Sequence, residues 1–329
     1  MTYRALITIG ATAALAVATL SAQNKAASNS SSSKIPRAAD GHPSLDGVWS
    51  NATRTPLERP AEFAGKVTLT DAEAREWEMK EHQAWQDLDG TSEGPLHKTK
   101  GSEGTGAYNI LFYDMGNGLM RVDGVKRTSM VIDPPDGKIP PMVPAARGRF
   151  GRRAGEGVDD VKERGLSERC IITSMAGPPM LPTLYNNNYQ IVQTPDTIMI
   201  MVEEIHDVRL IHMNAQHKSA NVRQWMGDSI GHWEGDTLVV ETTNFTPQTR
   251  FRGSSTDLKV TERFTRVDEK TILYKATMED PSTWTRPWTL ELPFIAQTSP
   301  IYEYACHEGN YAIEDILGGA RKIEAGEKK

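Results

Sequence analysis

The chain has 329 residues, 38% of them apolar, with 43 acidic and 37 basic side chains and a formal charge of −6. This length and apolar content suffice for a large buried core, which excludes a disordered or fibrous protein. No concentrated basic run is present to track a phosphate backbone, so no nucleic acid partner is expected.

In chain order, the first feature is MTYRALITIGATAALAVATLSAQ, where Arg4 supplies a positive n-region, Ala5 to Leu20 an apolar stretch, and small residues end at Ala22. This reads as a secretory signal peptide over 1–22. A membrane anchor would need about twenty apolar residues, and this stretch is shorter. No other segment approaches that length, so no integral membrane segment is expected after cleavage and the destination is periplasmic or secreted. Residues 23–40 form a Ser-rich tether too poor in apolar residues to order itself. A single domain is expected over 41–329.

Export changes how the two cysteines are read. Two thiols in one oxidised domain tend to pair, so a Cys170–Cys306 disulfide is expected, contributing roughly 4–5 kcal/mol in the chain-entropy model. The alternative is a nucleophilic Cys306 beside His307, although a catalytic thiol usually finds its base across the fold.

At 46–51, DGVWSN has the look of a first strand, with Gly47 allowing close backbone approach and Trp49 a large surface to bury. A helix is predicted over 71–87, opened by a Thr70/Glu73 capping box and ended by Gly90, with Trp77, Ala84 and Trp85 on the side that packs against a sheet. Residues 91–186 are rich in Gly and Pro, with short strands at LMRVDG and RTSMVID. A loop-rich run of this length is often a lid or binding loop. Its cluster of Arg147, Arg149, Arg152 and Arg153 is either a solvated loop or a clamp for an acidic polymer. YNNNY at 185–189 is either a turn using the left-handed tolerance of asparagine or, through Asn187, a set of amides for sugar hydroxyls.

From 187 to 306 the pattern becomes a β-meander: NYQIVQTP, TIMIMVEEI, DVRLIHM, NVRQWMGD, IGHWEGDTLVVETTNF, LKVTERFTRVDEKTILYKATMED, TWTRPWTLELPF and IYEYAC are short β-branched and aromatic runs divided by turns. With no helical crossovers between them, the expected fold is mainly β: an antiparallel up-and-down barrel with one N-terminal helix, the loop-rich insertion and a short C-terminal helix over 310–317. Alternation puts Val260, Glu262, Phe264 and Arg266 on one face, and Trp284, Arg286, Trp288, Leu290 and Leu292 on another. Charges so placed require pairing, here Glu262 with Arg266 or Arg286, or else they line a polar cavity.

The Gly47-Val48-Trp49 triplet before a run of strands resembles the Gly-x-Trp opening of lipocalins and the wider calycin group, which implies a lipocalin-like barrel. RTSMVIDPPDGKIPP, GPPMLPTLYNNNYQIVQTP, RQWMGDSIGHWEGDTLVVETTNF, VTERFTRVD and PIYEYACHEGNY, within roughly 120–317, are similar to a large family of exported bacterial proteins. That resemblance implies export and a shared β-rich fold, and carries no activity.

Zinc-protease, P-loop and CxxC spacings are all missing, and no cofactor signature accompanies the chain. The remaining chemistry lies in His, Tyr, Arg and acidic residues at strand ends. His206, His307, Tyr304 and Glu308 are candidate acid–base residues across a barrel mouth. Arg209, Arg223 and Arg286 would fork to a substrate carboxylate, and Trp225, Trp233 and Trp288 would stack on sugar rings. These suit an exported enzyme acting on a carbohydrate or related small molecule by hydrolysis or β-elimination. The alternative is a non-catalytic, lipocalin-like periplasmic carrier of a small ligand. His206, His232 and His307 could bind Zn²⁺ only if their strands converge.

Overall fold

The computed structural model describes residues 35–89, 114, 116–150, 157–173 and 177–326. The predicted signal peptide, residues 23–34 of the tether and residues 90–113 of the loop-rich run lie outside them, as do Arg152, Arg153 and the side chains of Ala84 and Trp85. The described residues belong to one compact unit, Lys34–Lys329. The tether's last six residues are part of it: Arg37 bridges Pro43 and forks onto Asp236 through two 2.8 Å bonds.

The elements in chain order are β1 (Gly47–Ser50), β2 (Thr68–Leu69), α1 (Asp71–Asp89), β3 (Arg121–Val122), β4 (Val125–Arg127), β5 (Val131–Asp133), α2 (Arg147–Phe150), β6 (Asn188–Gln193), β7 (Thr197–Val202), β8 (Val208–Met213), β9 (Asp228–Glu234), β10 (Thr237–Thr243), β11 (Lys259–Arg266), β12 (Thr271–Glu279), β13 (Trp288–Gln297) and α3 (Ala312–Glu324). Strand β1 followed by β6 through β13 closes into a nine-strand, mostly antiparallel, calycin-like barrel, sealed where β1 pairs with β13. Closure removes the free edges that would otherwise invite pairing with another chain. Strand β5 adds to the first part of β13, and β2, β4 and β3 form a separate small sheet.

Helix α1 starts as its capping box dictates: Thr70 Oγ1 accepts from the Glu73 amide at 3.3 Å, and Glu73 Oε2 accepts from the Thr70 amide at 2.9 Å. Its buried Ala74 and Trp77 meet Phe63, Leu69 and Leu119, so the helix packs beside the small sheet.

Three expectations need correction. The barrel is not up-and-down throughout, because β8 and β9 run parallel. The connection between them contains the predicted strand NVRQWMGD, which is loop up to Asp228 and pairs only through a Gln224–Phe245 bridge. Left-handed Asn214 (φ 54°) and Gly227 (φ 73°) turn the chain at its two ends. The predicted strand IYEYAC is likewise turn and coil. The third concerns Arg286: β13 begins at Trp288, so Arg286 lies outside the barrel wall and pairs with exposed Asp133 at 2.8 Å.

Alternation fills the interior. Along β11, Val260, Glu262, Phe264 and Arg266 are buried while the residues between them are not, and β12 buries Ile272, Tyr274, Ala276 and Met278 in the same rhythm. Strand β8 reverses its own hydropathy, since Arg209 and Ile211 face inward while Val208 and Leu210 are exposed. Inside, Arg209 pairs with Glu262 through both guanidinium nitrogens. Arg266 instead donates to backbone carbonyls of Ser44, Asp268 and Glu269, with its guanidinium 5.2 Å from the Trp49 ring. Phe264 is fully buried, its ring centroid 5.0 Å from that of Tyr274. Phe264→Ala should therefore lower stability by about 3–5 kcal/mol, read as a shifted denaturant midpoint at unchanged slope.

Candidate functional site

Strand β7 ends in Val202, and the next five residues, Glu203–Asp207, turn the chain into β8. A cleft of about 780 Å³ opens beside this turn, and Glu204 and Ile205 line it. The opposite walls come from distant parts of the chain: Ser167, Glu168 and Thr173, then Thr183 to Tyr185, then Glu303 to Cys306 with Asn310. The Cys170–Cys306 disulfide, expected from sequence, ties two of those walls together across 136 residues.

Glu204 is the buried carboxyl of the cleft, only 9% exposed. Its Oε2 accepts a 2.9 Å bond from the Thr173 hydroxyl, and no salt bridge reaches it among the described residues. Three other buried acids have basic partners: Glu262 has Arg209, Glu291 has Lys275 at 2.9 Å, and Asp228 has His217 at 3.0 Å. Glu203 and Asp280, like Glu204, have no salt bridge among the described residues but accept more hydrogen bonds than it does. Desolvation raises the pKa of Glu204 above the ordinary carboxylate value, and the Thr173 bond opposes the rise only in part. Asp207, in the same turn, is raised for the same reason. Burial thus favours the protonated form of a carboxyl on the wall of an open cleft, the kind of perturbation found at functional sites.

Backbone strain gathers here too. Ile205 (φ 64°) and His206 (φ 55°) are consecutive left-handed residues in the turn, and Cys170 (φ 52°) and Asn186 (φ 59°) lie in the segments that supply two other walls without lining the cleft themselves. A β-branched residue such as Ile205 is a genuine outlier in that region, and strain of this kind persists where surrounding contacts over-determine it.

Of the candidates read from sequence, Tyr304 lines the cleft. His206 sits beside it and donates from Nε2 to the Tyr302 carbonyl at 2.9 Å. His307 and Glu308 are exposed and are not part of the lining. Asn187 is 1% exposed and serves the YNNNY turn, donating to the carbonyls of Asp114 and Thr183 and accepting from the Thr183 amide. Arg209 is inside the barrel, and Arg223 donates to the carbonyls of Phe245 and Thr256. Trp288 is fully buried core, Trp233 stacks on His42 at 4.6 Å, and Trp225 is 37% exposed on the β8–β9 connection. Arg149 of the basic cluster donates to the carbonyls of Gly253 and Ser282. His206, His232 and His307 do not converge, and no group of three or more His, Cys, Asp or Glu among the described residues could hold a metal ion. His232 faces Glu234 at 3.3 Å instead.

The cleft residues missed from sequence are Glu204, Thr173, Glu168 and Glu303. Among the described residues the lining holds three carboxyls and no Lys, Arg or His, although Arg164, outside the lining, forks onto Glu168 at 2.9 and 3.1 Å. No described lining residue therefore offers a cation to an anionic ligand. No helix among the described residues is long and apolar enough to cross a membrane. No protein-family model, no curated protein and no solved structure matches the chain.

Proposed function

We propose that this chain is an exported hydrolase of a small, non-anionic carbohydrate or similar polyol, with the cleft as its active site and Glu204 as its general acid. The observation that carries this reading is the buried Glu204 carboxyl, its pKa raised by desolvation, on the wall of an open 780 Å³ cleft. In the reaction, Glu204 gives its proton to the leaving oxygen as the carbon–oxygen bond breaks. Water attacks the same carbon and passes a proton to a second carboxyl, Glu303, across the cleft; Glu168 is held in a fork by Arg164. Two carboxyls in unequal surroundings are the usual way one site supplies both an acid and a base. Tyr185 and Tyr304 offer faces of the kind sugars stack on, and Thr173, Thr183 and Asn310 offer hydrogen-bonding groups for hydroxyls.

This reading moves the proton donor from His206 and His307 to Glu204 and keeps Tyr304 in the site. It sets aside β-elimination from a uronate, because none of the arginines expected to neutralise the acid lines the cleft. A lipocalin-like carrier would hold its ligand within the barrel, where the inward side chains of the strands form one packed cluster. Export rests on the predicted signal peptide and suits the disulfide.

The test is a turnover screen over neutral, amino-substituted and uronic glycosides, paired with ligand-dependent thermal shifts. Turnover of neutral or amino substrates, abolished in Glu204→Gln, is the expected result. Preference for uronates, or full activity in Glu204→Gln, would overturn the reading.

A further inference from the structure

After β13 ends at Gln297, residues 298–326 contain no buried side chain. Helix α3 belongs to this run and has no fully buried residue, with Ile313, Ile316 and Leu317 only partly covered. Yet the run supplies Glu303, Tyr304, Ala305, Cys306 and Asn310 to the cleft, a whole wall of it. Apolar burial, which holds the barrel, therefore contributes much less to holding this wall.

Hydrogen bonds and an ion pair also join this run to the rest of the chain. His206 Nε2 donates to the Tyr302 carbonyl at 2.9 Å, Asn310 Nδ2 donates to the Glu168 carbonyl at 3.1 Å, and Arg321 donates to the Val158 carbonyl at 2.5 Å and faces Asp159 at 3.6 Å, all of them exposed. Water competes for every one of these groups, so each contributes little. The strongest tie among the described residues is covalent, and one of its two cysteines belongs to the cleft lining: Cys306 is partly exposed, whereas Cys170 is 8% exposed.

We propose that the Cys170–Cys306 bond is a redox latch: its reduction by a dithiol frees residues 298–326 as a strap and dismantles the cleft while the barrel stays folded. The functional consequence rests on the cleft being the active site; the release of the strap does not. In the exchange, a thiolate of the reductant attacks the accessible Cys306 sulfur, the bond between the two cysteines breaks, and Cys170 leaves as a thiolate that takes up a proton. The second thiol of the reductant then displaces Cys306. The reductant ends as a disulfide, and the protein has gained two electrons and two protons as a pair of thiols. Reoxidation restores the wall.

Hydrogen exchange of the folded protein before and after dithiothreitol, with mass spectrometry of trapped thiols to verify reduction, tests the latch without any substrate. Amides in 298–311 should exchange at least about tenfold faster after reduction while those of β10 to β12 keep their protection. The Cys170→Ser/Cys306→Ser double variant should match the reduced protein without any reductant. Unchanged protection of 298–311 after verified reduction would overturn the proposal. So would simultaneous loss of barrel protection, or a bond that dithiothreitol does not reduce in the folded protein. Turnover is read separately: if exchange responds but no glycoside is hydrolysed, the latch stands and the hydrolase reading falls.

Discussion

Glu204→Gln is expected to lower turnover by about 10²–10⁴-fold, the range a general acid contributes, while leaving the protein more stable at neutral pH. The two effects have one physical cause. Burial raises the Glu204 pKa, so between the ordinary carboxylate value and the raised one the folded state binds more protons than the unfolded state. Stability must therefore fall as pH rises through that window, and the full penalty persists above it. Below the window both states are protonated and the penalty is absent. Glutamine resembles the protonated carboxyl in shape and hydrogen bonding and never ionises, so the variant lacks this slope. Denaturation profiles of the two proteins should converge in acid and separate as pH rises, with the variant the more stable. In the parent protein, the proposed turnover should decline on the alkaline side as Glu204 loses its proton. A variant less stable at every pH would mean that Glu204 is a structural acceptor for Thr173, not a strained functional group.

What sequence made legible was whatever depends on near neighbours. Period-two alternation placed Val260, Glu262, Phe264 and Arg266 on one inward face because strand geometry alone decides it. The capping box placed the start of α1, and two cysteines in a chain read as exported sufficed for the Cys170–Cys306 pair. Properties created by distant partners were not legible. Arg209 reads as an available cation beside exposed apolar residues, but the register with β7 turns it inward to meet Glu262. Glu204 reads as one of two acids before a turn, and its burial comes from segments roughly thirty residues before it and a hundred after. The parallel β8–β9 pairing escaped for a similar reason: a connection without a helix looks like a hairpin series until its register is known.

The second large effect lies in the barrel interior, where breaking the Arg209–Glu262 pair from either side should be far costlier than removing it whole. Glu262 is fully buried and Arg209 is 4% exposed; Tyr274 donates to Glu262 Oε1 at 2.9 Å and accepts from the Met180 amide at 2.9 Å. The partners differ in what they can do when left alone. A guanidinium cannot shed its proton in a protein, so Glu262→Leu strands a permanent buried cation and should cost about 3–5 kcal/mol. A stranded carboxyl can take up a proton, and the Tyr274 hydroxyl remains beside it, so Arg209→Met should cost less, and less still in acid. Replacing both by apolar groups of similar volume removes both desolvation penalties, and the double variant should lie within about 1–2 kcal/mol of the parent on either side. A double-mutant cycle measured by chemical denaturation reads the coupling directly. Additive losses would show that the pair contributes through packing alone. The double variant should also keep its turnover, because Arg209 lies outside the cleft lining. If turnover is lost while the fold persists, Arg209 acts on the substrate after all, and the active site must extend into the barrel.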